Sequence, residues 1–139
     1  MTKGMAVLST SPCLWETEMA DAKVVLVVDD DYDLSTLVAT VLLEDGYMVE
    51  TASNGEEALA SVEQTLPDLI LLDMKMPIMD GSEFARELHA RHNHEVPIVI
   101  LTASADARTT ADEIGASGWV AKPFDLETLT SAVDRYVKR

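Results

Sequence analysis

The 139-residue chain is 47% hydrophobic, long enough for one compact domain that buries roughly two-thirds of its unfolded surface and too short for a second. Its 25 acidic residues against 10 basic ones give a net charge of −15, a field that repels nucleic-acid phosphate and anionic lipid, so partners of either kind are not expected. No apolar run approaches the ~20 residues that cross a bilayer, and the single cysteine, Cys13, leaves no internal disulfide, so a cytoplasmic protein is expected.

Residues 1–22 mix Ser, Thr, Pro and Gly without a period and read as a flexible N-terminal extension, with the folded domain spanning 23–139. Lys23 to Val28 is a β-branched run too short for a helix, hence a buried strand, and three aspartates follow it. From Leu34 the apolar positions Leu34, Leu37, Val38, Val41 and Leu42 form one helical stripe, stopped by Gly46, with Asp31 or Asp33 as its cap. Tyr47 to Ala52 is a more polar strand suited to a sheet edge. Asn54 with Glu57 marks a capped helix that turns Ala58, Leu59, Val62 and Leu66 inward and closes before Pro67.

Leu69 to Leu72 is apolar without a break, the pattern of a central parallel strand, and it ends abruptly on Asp73. A turn-rich segment leads to a helix from Gly81 to Arg91 with Phe84 and Leu88 inward. Ile98 to Leu101 is again wholly apolar and ends on Thr102. A lightly packed helix between Asp106 and Gly115, with Ala107, Ala111 and Ile114 as its inner face, precedes a short strand, Trp119 to Ala121, ended by Lys122 and Pro123. Asp125 caps a last helix whose stripe runs from Leu126 to Val137. Five strands alternating with five helices specify an α/β fold, a doubly wound parallel sheet in which every strand end lies on one rim.

That rim collects Asp29, Asp30 and Asp31, then Asp73, Thr102 and Lys122. Carboxylates at close quarters raise one another's pKa or require a cation, and hard oxygen ligands without histidine or cysteine favour magnesium over zinc. Asp73, at the centre, is then the candidate nucleophile, with the Lys122 ammonium and Thr102 hydroxyl flanking an incoming anion. Phosphoryl transfer to a carboxylate fits this set. Taken singly, each aspartate is as well explained as a turn or cap residue; the coincidence on one rim is what points to chemistry.

The segments VLVVDDD, LLDMKMPIMDG, VILTA and GASGWVAKPF resemble the receiver domain of two-component response regulators, over Lys23 to Arg139. The resemblance implies a flavodoxin-like (βα)5 fold. It makes Asp29 and Asp30 the acidic pair that helps hold Mg2+ or Mn2+, Asp73 both the phosphoacceptor and a metal ligand, and the backbone carbonyl of Lys75 a further metal ligand. It makes Thr102 the switching hydroxyl, Trp119 the switching aromatic and Lys122 the phosphate-pairing lysine, with a cis peptide before Pro123. Lys75 and Ser104 take the positions that tune dephosphorylation. The phosphoryl donor would be a histidine kinase or a histidine phosphotransfer protein, and the chain would catalyse its own phosphorylation and dephosphorylation without being an enzyme in the usual sense. Phosphorylation would remodel the surface of the fourth helix, fifth strand and fifth helix.

A stand-alone, single-domain type is expected, signalling through contacts with a downstream protein, as a monomer or a weak phosphorylation-dependent dimer. Two alternatives stay open: a haloacid-dehalogenase-like phosphohydrolase with a first-strand nucleophile, and a degenerate receiver serving only as an interaction module. His89, His92 and His94 read as a solvated helix end rather than a zinc site, and Met74, Met76 and Met79 as gap-filling side chains.

Overall fold

The structure, a computed structural model, describes residues 23–74, 78–92, 95–103 and 105–137. The expected N-terminal extension lies outside them, as do Lys75, Met76, Pro77, His94 and Ser104. In chain order the elements are β1 (Val24–Val28), α1 (Tyr32–Glu44), β2 (Met48–Ala52), α2 (Gly55–Gln64), β3 (Leu69–Asp73), α3 (Gly81–His92), β4 (Ile98–Thr102), α4 (Ala107–Ile114), β5 (Gly118–Ala121) and α5 (Leu126–Tyr136). The strands form one parallel sheet in the order β2-β1-β3-β4-β5, so β2 is an edge strand, as its polar content implied.

Each sheet face carries its own core, which is why the central strands are apolar at every position. Leu26, Val28, Ile70, Leu72, Ile98 and Ile100 pack with Ala58, Val62, Phe84, Leu88 and Ala111 on the α2–α3–α4 side. Val25, Val27, Leu69, Leu71, Val99 and Leu101 pack with Val38, Leu42, Leu129 and Val133 on the α1–α5 side. All five positions of β3 and of β4 are buried.

Three helix starts follow the local chemistry of the sequence. Asp31 accepts from Leu34 N at 3.1 Å, Asn54 from Glu57 N at 2.9 Å and Asp125 from Thr128 N at 2.7 Å. The Glu57 carboxylate accepts from Ser53 N and Ser53 Oγ, one residue before the cap, which holds it below the usual carboxylate range. Two residues expected inward are not. Leu37 is 48% exposed because α1 covers the sheet through Val38 and Leu42, and Leu66 is 38% exposed because α2 has already ended at Gln64.

Candidate functional site

The rim at the carboxyl ends of the strands is built by ladder geometry. Asp29 extends β1 by one more bond, its N–H reaching Ala52 O at 3.0 Å, and is 3% exposed. One of its oxygens, Oδ1, accepts from Asp31 N at 2.9 Å, while Ser35 Oγ donates to its carbonyl at 3.4 Å. Asp73 closes β3 at 6% exposure and is registered with Leu101; Thr102 follows Leu101 at 7% exposure, and its carbonyl accepts from Lys122 N at 2.8 Å. Lys122 thereby enters from the end of β5, ahead of a cis bond to Pro123.

These strand ends meet in space. Carboxylate oxygens of Asp29, Asp30 and Asp73 lie within 4.8 Å of one another. Lys122 Nζ sits 3.4 Å from Asp73 Oδ1 and 3.7 Å from Asp29 Oδ2. Asp31, on the rim by position, is instead engaged in capping α1. Trp119 lies on edge strand β5, 43% exposed and registered with Ile100, so it is on the α4 side of the sheet.

Burial pushes the Asp29 carboxyl up to about 6 from its ordinary 3.8, and the charges of Asp73 and Asp30 add to the effect; the Asp31 N–H and Lys122 act in the opposite direction and do not prevail. Its Oδ2 is buried without a hydrogen-bond partner, since Lys122 stands beyond bonding distance. A buried acceptor left unmatched inside a set of like charges calls for a cation. The donor set is hard oxygen only, without histidine or thiolate, the chemistry that suits magnesium and manganese. The residues present fit a hard divalent cation.

Beside this cluster, Asp31, Leu34, Ala103, Lys122, Pro123 and Phe124 line an open cavity of about 460 Å³. Ser35, which ties α1 to the Asp29 carbonyl, was not among the residues singled out from sequence; a serine within an aliphatic stripe is the only trace of it. Gly55 was missed as well. A Cβ there would lie 2.6 Å from Met79 Cγ, and a glycine in the first turn of a helix is the signal of such a close approach. Met74 and Met79 pack against the α2–α3–α4 core as expected, and His92 pairs with Glu63 at 3.0 Å.

A doubly wound parallel sheet with a buried carboxylate cluster and a lysine at its strand-end rim defines a class, the α/β proteins that bind ligands at that rim. Within it, residues 25–134 match the model of the response regulator receiver domain, and the chain belongs to that family. Sporulation initiation phosphotransferase F of Bacillus subtilis is 37% identical over 115 residues, covering 81% of this chain and 92% of that protein. Probable transcriptional regulator ycf27 of Guillardia theta is 38% identical over 129 residues, covering 91% of this chain and 50% of its own length. Like that protein, most of the curated relatives that head the comparison are about twice the length spanned by this chain. Among solved structures, the chemotaxis response regulator CheY4 of Vibrio cholerae aligns with a TM-score of 0.78 at 35% identity, over 84% of this chain and 99% of that one. Response regulator TrrA of Thermotoga maritima, solved in complex with Mg2+-BeF, aligns at 0.74 and 35%, over 83% and 99%.

Proposed function

We propose that the chain is a phosphoacceptor that takes a phosphoryl group onto Asp73 from the phosphohistidine of a histidine kinase or histidine phosphotransfer protein, and signals through protein contacts. The observation that carries this reading is the convergence of Asp29, Asp30 and Asp73 within 4.8 Å with Lys122 at 3.4 Å from the central acid. Asp29, Asp30 and Asp73 would hold magnesium or manganese, which when bound neutralises charge on the phosphoryl oxygens. An Asp73 oxygen attacks phosphorus, the bond from phosphorus to the donor imidazole breaks, and the imidazole leaves after taking up a proton. The Lys122 ammonium already stands beside the attacking carboxylate and pairs with the transferred group, so little reorganisation accompanies transfer.

Thr102, at the end of the neighbouring strand, would turn its hydroxyl to the new phosphoryl oxygens. Its movement would free space toward β5, where Trp119 stands on the α4 side, and so alter the surface of α4, β5 and α5. The small residues Ala107 and Ala111 are the only buried side chains of α4, which keeps the work of shifting it low.

Incubation with magnesium and acetyl phosphate, read by intact mass, is expected to add one phosphoryl group to the wild-type chain and none to Asp73→Asn. Asp29→Asn should lose the magnesium dependence of that labelling. An adduct that survives Asp73→Asn would instead favour the first-strand nucleophile of a phosphohydrolase, and no adduct on the wild-type chain would favour an interaction module.

A further inference from the structure

Ile78 is the only non-glycine residue, among those described, with a backbone in the left-handed region, at φ 68°. A β-branched side chain clashes with its own backbone there, which is why glycine or asparagine ordinarily occupies such positions. The loop after the phosphoacceptor holds it in place. Gly55 N donates to Met79 O at 3.1 Å, and the Met79 side chain lies so close to Gly55 that no Cβ fits between them. Two residues further on, Gly81 N reaches Met74 O at 3.4 Å, and a Cβ on Gly81 would lie 2.9 Å from Asp73 O. With Met79 and Gly81 pinned, the Ile78 side chain is thrown outward, 70% exposed. The position is strained and leaves most of its side chain exposed, a combination that glycine would relieve and that marks functional sites.

Only Tyr32, at 80%, is a more exposed large hydrophobic among the described residues, and it stands two residues after Asp30 at the start of α1. The two most exposed apolar side chains thus stand in the segments that leave β1 and β3 at the acid cluster. Asp73 is only 6% exposed, so a protein that delivers a phosphoryl group to it must cover this rim. Exposed Asp30, Asp31, Asp33 and Glu83 lie in the same segments.

We infer that Ile78 is a specificity residue for the protein phosphodonor, seated in an apolar pocket on the donor face beside its phosphohistidine, with basic donor side chains meeting the surrounding acids. The inference rests on Asp73 being the phosphoacceptor. Its test compares wild type, Ile78→Gly, Ile78→Asn and Ile78→Val with two donors: acetyl phosphate, and an autophosphorylated sensor histidine kinase that labels the wild-type chain. Both Ile78→Gly and Ile78→Asn should keep the acetyl phosphate rate within about twofold and a melting temperature equal to or above wild type, yet slow transfer from the kinase by at least about fivefold, the loss of one interface anchor. Ile78→Val should retain most of the kinase rate. Unchanged kinase transfer with normal acetyl phosphate labelling overturns the inference alone. A parallel fall in both rates with a lower melting temperature makes Ile78 structural and overturns it too. Failure of acetyl phosphate to label Asp73 in the wild type overturns the phosphoacceptor reading, and the inference with it.

Discussion

Asp29 is the residue at which binding and stability oppose each other. Its carboxyl is buried, close to two other acids, and titrates at about 6 in the fold against 3.8 ordinarily. Between those values the folded chain holds the proton more tightly than the unfolded chain. Stability from the protonated form is therefore fully present below 3.8, is lost as the pH rises through about 6, and stays lost above it. In EDTA, Asp29→Asn should melt higher than wild type at pH 7.5, with the gap closing toward pH 4. Adding magnesium at pH 7.5 should raise the wild-type melting temperature and raise that of Asp29→Asn far less, because a ligand stabilises only the state that binds it. Thermal melts across pH 4–8 read both. A variant that shows the wild-type pH slope would remove the argument that burial of this carboxylate is unfavourable without a cation. The residues of this cluster were legible in the sequence because a parallel sheet sends every strand end to one rim. The role of Ser35 was not, since a buried hydroxyl on an aliphatic stripe gives no pattern until its acceptor, the Asp29 carbonyl, is placed.

At the scale of elements, Gly118 shows how β5 and α5 are fitted together. A Cβ there would lie 2.6 Å from Cζ of Tyr136, and an aromatic ring cannot yield as a flexible side chain does. Gly118→Ala should lower stability by about 1–3 kcal/mol in urea unfolding, the range for overpacking, and should be nearly neutral in a Tyr136→Ala background. If the loss is equal in both backgrounds, the contact is not its cause. Such contacts explain where sequence reading stopped. The five strands, their order in the chain and three helix caps could be read because each depends on neighbours in sequence: apolar runs, and Asp31, Asn54 and Asp125 before helical stripes. The exposure of Leu37 and Leu66 could not, because it is set by how each helix is rotated and where it ends against the sheet. Nor could the left-handed Ile78, since the two residues pinned just after it, Met79 and Gly81, are held by Gly55 and Met74.

At the scale of the whole molecule, the charge of −15 is unevenly placed: residues 24–74 hold no Lys, Arg or His but twelve Asp and Glu. They make up β1, α1, β2, α2 and β3, so one flank of the sheet is acidic throughout. Raising KCl from about 0.05 M to about 0.5 M shortens the screening length from roughly 14 Å to roughly 4 Å and should raise the melting temperature in EDTA. The rise should be larger at pH 7.5 than at pH 4.5, where more carboxylates are neutral; equal rises would assign the effect to something other than repulsion. The sheet order carries a consequence of a different kind, in time. Among the described strands β1 is made before the others, yet it lies between β2 and β3, and its partners begin at Met48 and Leu69. During synthesis one edge of its five aliphatic positions must therefore wait for Met48–Ala52 and the other for Leu69–Asp73 to leave the ribosome, which leaves Val24–Val28 open to premature pairing in the nascent chain.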